Sequence, residues 1–543
     1  MDNDDRQPSD RRAFLKTGLA AAAGATALPG LLHAQTASGR SAPSSFELDE
    51  ITLETLRQGL ESGRFTARSL AERYLARIEA VDKGGPGLNA VIEVNPDAPA
   101  IADQLDQERR VKGARGPLHG IPVLIKDNIA TADRMQTTAG SLALVGSRPP
   151  QDSFVAARLR AAGAVILGKT NLSEWANFRG EHSTSGWSGR GGQTHNPYAL
   201  DRNPSGSSSG SGVAVAANLC AVAVGTETDG SIVSPSSLNG IVGIKPTVGL
   251  VSRSGIVPIS HTQDTAGPMA RTVADAAALL GALAGVDPGD SATTAAGSHL
   301  VSDYTRSLDA NGLRGARLGV VRKYAGFNQH VDRIFGEALA ALKQAGAEIV
   351  DPVEIAALGK LDDPELQVLL FEFKAGLNRY LGDLSGASVR TLQDVIAFNQ
   401  QNRERELPWF GQELMEKSEA KGPLTSADYK KHLETCRRLS RREGIDAVMD
   451  KLHLDALVSP TDGFAWPTDP IDGDHFTGSS STLAAVAGYP HVTVPMGFAF
   501  GLPVGISFFG RAWSEPALIK LAYAYEQVTK HRKPPQFRAT AEI

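Results

Sequence analysis

Patterns typical of helices alternate with short runs of β-branched residues along most of this chain, and this alternation is the strongest constraint on its fold. Amphipathic helical patterns at residues 52–62 and 66–81 are followed by a strand pattern at residues 89–94. Further helical patterns occur at residues 98–110, 154–162, 272–284 and 331–344, and further strand patterns at 121–125, 164–167, 317–321, 347–350, 454–458, 492–494 and 504–508. The alternation predicts an α/β fold in which helices cover a sheet. The late strands indicate one sheet that both ends of the chain complete.

The interval of residues 363–444 interrupts this alternation, because it is mostly helical in pattern and rich in charge. It is interpreted as a helical insertion or cap within a single domain that spans residues 46–540. Two loops, at residues 287–298 and 466–481, are rich in Gly, Ser, Thr, Asp or Pro. Loops carry binding residues more often than regular elements do, so we expect both loops to frame a cleft.

The charge of the chain argues against a nucleic-acid partner. Its 543 residues have a formal net charge of −5 and contain no long block of one sign. Proteins that bind nucleic acid carry a concentrated positive surface, which this composition does not predict. With 41% hydrophobic residues, the composition is that of an ordinary globular protein with a large core. We therefore expect no nucleic-acid partner.

The first 34 residues have the pattern of an export signal. Arg11 and Arg12 precede Phe14-Leu15-Lys16 and an Ala/Gly/Leu-rich run, with a small-residue cleavage site at residues 32–34. This looks like a twin-arginine signal, and residues 35–45 form a polar linker after it. The pattern predicts a bacterial protein that the twin-arginine machinery exports to the periplasm or the medium. No later run approaches the roughly 18 to 20 apolar residues of a membrane helix, so we expect no membrane attachment in the mature form.

Cysteine and histidine spacing gives no support for a metal site or a disulfide framework. The chain has two cysteines, Cys220 and Cys436, and twelve histidines, without a His-Glu-x-x-His or Cys-x-x-Cys pattern. Cys220 lies in an apolar stretch and is interpreted as a small buried residue. We expect neither a metal nor a cofactor.

Serine and glycine are concentrated at residues 204–212, which follow a loop with two prolines, Pro197 and Pro204. Such a run is often a flexible linker, but this one leads directly into a compact apolar segment. The run also matches Gly-x-Ser-x-Gly, with Ser208 as the nucleophile of an α/β-hydrolase elbow. That elbow requires a strand directly before it, and the two-proline loop does not supply one. We therefore favour a Ser/Gly platform at the start of a helix.

Ser231 ends a second glycine-containing turn, and with Ser207, Ser208 and Lys126 it can form a hydrolytic site that contains no histidine. Small residues before Ser231 let backbone N–H groups approach a carbonyl oxygen closely. Lys126 follows a buried strand pattern, where loss of solvent disfavours the ammonium form and lets lysine act as a base. From the residues alone, a surface lysine at the strand end, or a lysine paired structurally with Asp127, is still the stronger explanation. The choice between Ser207 and Ser208 stays open.

Several ordered motifs give the chain a resemblance to the amidase signature family, over nearly the whole sequence after residue 48. The matching segments are residues 116–122, 126–128, 168–171, 204–212, 225–232, 240–247, 488–495 and 501–505. The resemblance implies an α/β/α layered fold with a mixed central sheet covered by helices. It also implies an amidase, a hydrolase that acts on linear amide C–N bonds through an acyl-enzyme.

The resemblance further implies a Ser-cisSer-Lys triad. Ser231 is then the nucleophile, Ser207 the bridging serine whose preceding peptide bond is cis, and Lys126 the base. The spacing of 24 residues from Ser207 to Ser231 agrees with the family and favours Ser207 over Ser208 as the bridge. Ser208 becomes a supporting residue.

The resemblance also implies a role for the turn before the expected nucleophile, namely the oxyanion hole. The backbone N–H groups of Thr228, Asp229, Gly230 and Ser231 are expected to form the oxyanion hole. The usual Asp-x-Gly-Gly-Ser-Ile-Arg of the family appears here as Glu-Thr-Asp-Gly-Ser-Ile-Val, and Asn239 stands where many members carry Cys.

This variant, with the segments at residues 371–374 and 392–399, is most similar to bacterial peptide amidases. The resemblance implies deamidation of C-terminally amidated peptides, so a small molecule or short peptide amide is the expected substrate. A general aliphatic or aryl acyl amidase is the main alternative. A tRNA-dependent transamidase subunit is weaker because its partners are cytosolic, and a catalytically idle binding protein is the remote alternative.

Overall fold

A computed structural model of the protein describes residues 46–542. The predicted signal segment and linker, residues 1–45, lie outside the described residues, so the export signal stays a prediction. No helix within residues 46–542 is long and apolar enough to cross a membrane.

A mixed sheet of eleven strands forms the centre of the described chain. From edge to edge, its strands are β1 (Val91–Val94), β3 (Val165–Thr170), β2 (Pro122–Lys126), β6 (Val222–Glu227), β8 (Thr265–Ala270), β7 (Val242–Lys245), β12 (His491–Ala499), β13 (Leu502–Phe509), β11 (Ala456–Pro460), β9 (Arg317–Val320) and β10 (Glu348–Val350). β2 runs parallel to β3 and β6, whereas the strands from β6 across to β11 pair antiparallel. Two further strands, β4 (Trp187–Ser188) and β5 (Gly192–Gln193), make a small hairpin. The predicted α/β fold with a mixed central sheet is confirmed.

Helices pack against this sheet. Outside the helical interval they are α1 (Leu53–Glu61), α2 (Ala67–Arg77), α3 (Ala98–Lys112), α4 (Phe154–Ala161), α5 (Ser209–Ala216), α6 (Val233–Leu238), α7 (Val273–Leu283), α8 (Thr293–Ala296), α9 (Gln329–Gln344), α16 (Thr482–Ala487) and α17 (Glu515–Thr529). The Thr66 side chain accepts the backbone N–H of Ser69, whose hydroxyl accepts the N–H of Thr66 in return, so a capping box begins α2.

The predicted helical interval is a set of helices that pack on one another. They are α10 (Asp362–Asp383), α11 (Leu392–Gln401), α12 (Arg403–Glu406), α13 (Glu413–Glu419), α14 (Ala427–Arg437) and α15 (Asp446–Leu452). Phe373 and Leu377 of α10 share a buried apolar cluster with Trp175 and Phe178, which follow β3. The helical interval therefore meets the main body at the segment that follows β3.

Three central strands, β6, β7 and β8, were not predicted from the sequence. In addition, Lys126 lies inside a strand rather than after it. β8 contains Gly267 and Pro268 and is a strand because β6 and β7 pair with it on its two sides. Lys126 is the last residue of β2 and pairs with Thr170 of β3. Pairing with the neighbouring strands, rather than local β propensity, forms β8.

Candidate active site

Lys126 lies at the centre of a buried polar cluster at the end of β2. Its Nζ donates to the hydroxyls of Ser207 at 2.8 Å, Ser208 at 3.0 Å and Thr226 at 2.8 Å. The side chain has no exposed surface. The structure thus brings together the lysine and both serines that the sequence singles out.

Burial lowers the pKa of Lys126 to about 7, because the ammonium form loses its solvation. The carboxylates of Asp264 and Glu227 act in the opposite direction, but their effect is smaller than that of burial. A neutral amine is therefore accessible near neutral pH, which an exposed lysine with its usual pKa near 10.4 does not offer. The cluster meets the electrostatic requirement for a lysine base.

The hydrogen bonds of Ser208 distinguish it from Ser207. The Ser208 hydroxyl donates to the carbonyl of Thr226 at 2.9 Å and accepts from Lys126 Nζ and the Thr226 N–H. One donor and two acceptor sites are the full capacity of a hydroxyl, so Ser208 holds Lys126 in place. The Ser207 oxygen accepts from Lys126 and keeps capacity for a second partner. The peptide bond between Gly206 and Ser207 is cis.

The Ser/Gly run is a buried part of the fold. Ser207 and Ser208 have at most 1% exposed surface, and helix α5 begins at Ser209 directly after them. No strand precedes them, since a loop leads into the helix. The linker and the nucleophile-elbow alternatives are both wrong.

Ser231 faces a cavity of about 420 Å³ that Ser207 also lines. The Ser208 N–H donates to the Ser231 carbonyl at 3.2 Å and joins the two serine segments. Within residues 46–542 the Ser231 hydroxyl has no hydrogen-bond partner. It is therefore free to meet a molecule in the cavity.

Four backbone N–H groups in the turn before and at Ser231 are also free. Those of Thr228, Asp229, Gly230 and Ser231 have no acceptor within the described chain, and all four residues line the cavity. Gly230 has φ +77°, a left-handed conformation that glycine adopts without steric cost. Consecutive free N–H groups beside a hydroxyl are the arrangement that stabilises an oxyanion.

Three carboxylates hold this turn in place by accepting hydrogen bonds. Glu227 accepts the backbone N–H groups of Ile232 and Val233 at 2.8 and 3.0 Å, across the turn. Asp229 accepts the Thr482 hydroxyl at 2.7 Å, and Asp264 accepts the Thr228 hydroxyl at 2.6 Å. The sequence points to Glu227 and Asp229 only as departures from a family motif, and their anchoring role becomes visible with the fold.

Apolar side chains form much of the cavity wall. Phe178, Ile259 and Leu369 come from three separate segments, and Trp466 and Phe476 come from the predicted loop at residues 466–481. Phe476 is 52% exposed and stacks edge to face on Trp466. The prediction that this loop frames a cleft is confirmed.

The same prediction for the loop at residues 287–298 is wrong. This loop contains α8, and none of its described residues lines the cavity.

Sequence reasoning missed several residues of the site. The Thr226 hydroxyl accepts hydrogen bonds from Lys126 Nζ and from the side-chain amide of Asn128, the latter at 2.9 Å. Asp264 and Thr482 are remote in sequence from the serines and carry no local motif. Thr226 stands inside the motif that ends in Ser231, so its position five residues before the serine is the one signal that was available.

The fold and the lysine-serine site define an amide hydrolase, and this chain belongs to the amidase family, whose sequence pattern it matches over residues 69–519. Among solved structures, it is similar to the native peptide amidase of Stenotrophomonas maltophilia, with 54% identity and a TM-score of 0.86 over 91% of this chain and all of that one. A structure of the peptide amidase PAM with the competitive inhibitor chymostatin matches at 54% identity and a TM-score of 0.87, over 90% of this chain and 100% of that one.

A curated relative, a probable amidase of Arabidopsis thaliana, is 45% identical over 91% of this chain and 93% of its own length. Putative amidases of Arthroderma benhamiae and Schizosaccharomyces pombe are 39% and 37% identical, each over 90% of this chain and 87% of its own length. These three relatives are eukaryotic. They contradict the prediction of a bacterial periplasmic or secreted protein, which is therefore wrong. An N-terminal pattern outside the described residues does not by itself establish a location.

Proposed function

We propose that this protein is a peptide amidase that releases ammonia from C-terminally amidated peptides, with Ser231 as nucleophile, Ser207 as proton relay and Lys126 as base. The observation that carries the proposal is the buried Lys126 amine, which lies 2.8 Å from the hydroxyl of Ser207 in the wall that also contains Ser231. The lowered pKa of Lys126 supports the same assignment, since a base must be neutral to accept a proton.

The reaction then runs through an acyl-enzyme. The Ser231 oxygen attacks the amide carbon while its proton passes to Ser207, whose own proton passes to Lys126. The free N–H groups of the turn stabilise the oxyanion that forms on the carbonyl oxygen. Lys126 returns the proton through Ser207 to the leaving nitrogen, the C–N bond breaks, and ammonia departs. Water attacks the acyl-enzyme by the same route and releases the peptide acid.

Two observations favour a peptide amide as the substrate. The chain is 54% identical to a peptide amidase along the whole length of that protein. The cavity of about 420 Å³ lies in the range typical of ligand pockets, and its apolar wall suits the side chains of a short peptide. A general aliphatic or aryl acyl amidase would use the same lysine and serines, so the choice of substrate decides between the two.

The test is ammonia release by the purified protein from N-acetylated dipeptide amides, with mass spectrometry of the products. We expect one ammonia for each peptide acid formed and an intact internal peptide bond. The same dipeptide with a free carboxylate is the matched control and should release none. Activity without tRNA or a second subunit separates this function from that of a transamidase subunit.

Two results would contradict the proposal. Hydrolysis of aryl or aliphatic amides without any release from amidated peptides would leave a general amidase. Failure to hydrolyse any amide, together with no labelling of Ser231 by a serine-reactive phosphonate, would leave a binding protein on the same fold.

A further inference from the structure

One wall of the cavity has an unusual backbone. Trp175, Ala176 and Asn177 are three consecutive residues with φ of 53°, 54° and 71°. Residues other than glycine seldom adopt this left-handed conformation, and a run of three persists only where the surrounding structure holds it. Ala176, Asn177 and Phe178 line the cavity, so whatever holds the run also sets the shape of the cavity.

The run is tied at its start to the serine loop. Ser173 donates its backbone N–H to the carbonyl of Ser207 at 3.1 Å, and the Trp175 N–H donates to the carbonyl of Ala139 at 2.9 Å. Ser173 thus fixes the segment before the run to the loop that carries Ser207, and Ala139 fixes the first residue of the run.

A buried ion pair brackets the run. Glu174 precedes it and Arg179 follows it, and Arg179 Nη1 donates to Glu174 Oε1 at 2.7 Å. Both side chains have at most 1% exposed surface. The guanidinium also stacks on Phe410, 4.1 Å from the ring centroid, and the Arg179 carbonyl accepts the N–H of Leu414 at 3.0 Å. The end of the run is thus fastened to the helical interval.

Glu406, in α12 of the helical interval, is the third charged member of this cluster. The Arg179 guanidinium donates to the Glu406 backbone carbonyl at 2.5 Å, and Glu406 Oε1 accepts the N–H of Leu142 at 2.7 Å. A Cβ placed on Gly189 would lie 2.5 Å from Glu406 Oε2 and 2.9 Å from Glu174 Oε2. The two carboxyl groups therefore converge above Gly189, where only a glycine fits.

Two buried carboxylates beside one guanidinium repel each other unless one of them is protonated. Glu406 Oε2 has no donor within the described chain, whereas Glu174 Oε2 accepts the Gly189 N–H at 2.6 Å. Burial, followed by the Glu174 carboxylate, raises the pKa of Glu406 to about 9. A proton on Glu406 is thus retained at neutral pH and is available to Glu174.

Few charged groups face Glu406 within the described chain. Glu174 and Arg179 face it from the main body, with the Ser141 hydroxyl at 3.5 Å. Its helix neighbours Arg403, Glu404 and Arg405 are exposed. Glu413 of α13 accepts the N–H of Glu181, two residues after Arg179.

We propose that Glu174, Arg179 and Glu406 form a clamp that holds the left-handed run in place, and that they are positioning residues for substrate binding. The clamp touches neither Lys126 nor Ser231, so its loss should affect the binding of substrate more than the chemical step. This inference rests on the proposed use of the cavity as the substrate site.

The test compares Glu406→Ala and Glu406→Gln with Glu404→Ala, an exposed control on the same helix. Steady-state rates are measured from pH 7 to 10.5 on an N-acetylated dipeptide amide, which has no titrating group, by chromatography of the peptide acid. At pH 7 we expect Glu406→Ala to raise KM about 10-fold with kcat changed less than about threefold, because only binding is lost. Glu406→Gln keeps an acceptor for Leu142 and a donor for Glu174, so its KM should equal that of the wild type.

Above pH 9 the wild-type KM should rise as Glu406 ionises beside Glu174, whereas Glu406→Gln should stay level. Equal KM values for Glu406→Ala and Glu404→Ala, or the same alkaline rise in the wild type and Glu406→Gln, would overturn the clamp. If Glu406→Ala fails to fold by circular dichroism, the alkaline comparison decides alone. If the wild type hydrolyses no peptide amide, the proposed function fails, and the same comparison on an aryl amide still tests the clamp.

Discussion

The hydroxyl of Thr228 and the carboxylate of Asp264 bond at 2.6 Å, and this contact joins the turn before Ser231 to the cavity wall. The second oxygen of Asp264 accepts the backbone N–H groups of Ile259 and Ser260, both at 2.9 Å. One carboxylate therefore sets the position of an N–H group of the turn and of an apolar wall residue. Its charge also raises the pKa of Lys126, against the larger lowering caused by burial.

Asp264→Asn should move the acid limb of the pH–kcat/KM profile to lower pH. That limb follows the loss of the proton from Lys126, whose pKa is about 7, and removal of a nearby negative charge favours the neutral amine. Asp472→Asn, which changes an exposed acid at the cavity, is the matched control. An acid limb that shifts equally in both variants would contradict the coupling between Asp264 and Lys126.

Lys126→Met should reduce kcat/KM by about 10³-fold or more between pH 6 and 8, because the base is lost while the buried volume is kept. The thermal midpoint should change little, since the variant removes an amine that burial disfavours in its charged form. Ammonia release and circular dichroism measure the two effects. Wild-type activity in this pH range would refute the assignment of Lys126 as the base.

Ser231→Ala should abolish turnover, and Ser207→Ala should cost somewhat less, because water can replace a proton relay more readily than a nucleophile. Ser302→Ala is the control, since Ser302 is exposed and does not line the cavity. Active-site titration with a serine-reactive phosphonate should label Ser207→Ala and the control but leave Ser231→Ala unlabelled. Labelling of Ser231→Ala would identify another nucleophile.

Gly230→Ala should reduce kcat by about 10²-fold, because the N–H groups of the turn would no longer converge on one point. The new Cβ would approach Ser481 Oγ to 3.1 Å at a φ of +77°. Gly63→Ala is a close control: Gly63 also has a φ of +77°, but no atom lies within 4 Å of the new Cβ. Both variants should lose about 1 kcal/mol of unfolding free energy, and only Gly230→Ala should lose activity. Equal kcat values would argue against an oxyanion role for the turn.

Glu227→Ala should lower the free energy of unfolding by about 2–4 kcal/mol, since the N–H groups of Ile232 and Val233 would be buried without an acceptor. Glu227→Gln keeps one side-chain oxygen as an acceptor and should cost less than about 1 kcal/mol. Denaturant unfolding followed by fluorescence measures both values. A Gln variant as unstable as the Ala variant would show that the charge, rather than the acceptor, matters.

The sequence was sufficient for the fold class, the family, and the lysine and serines that meet at the site. Hydrophobic periodicity located many helices and the strands on either side of β6, β8 and β7, because these elements keep their apolar residues at regular spacing. β6, β7 and β8 were missed, and β8 in particular has little strand propensity, so that it depends on pairing with β6 and β7. The catalytic roles of Lys126, Ser207 and Ser231 stay predictions, as does the single domain over residues 46–540.

Long-range contacts mark the limit of that reasoning. Asp264 lies 36 residues from Thr228 and Glu406 lies 265 residues from Ser141, so no local pattern relates either pair. The run at residues 175–177 was equally hidden, since Trp and Ala favour ordinary backbone conformations when considered alone. Such features depend on tertiary packing and become visible only once the partners are in place.

The position of β12 in the sheet has a consequence for synthesis of the chain. Lys126, Ser207 and Ser231 leave the ribosome well before Thr482, which bonds Asp229, and before β12, which pairs with β7. Until then one edge of β7 has no partner strand, and an unpaired edge is a template for association with other chains. A product that ends before residue 491 would therefore contain Lys126, Ser207 and Ser231 and yet be prone to aggregate.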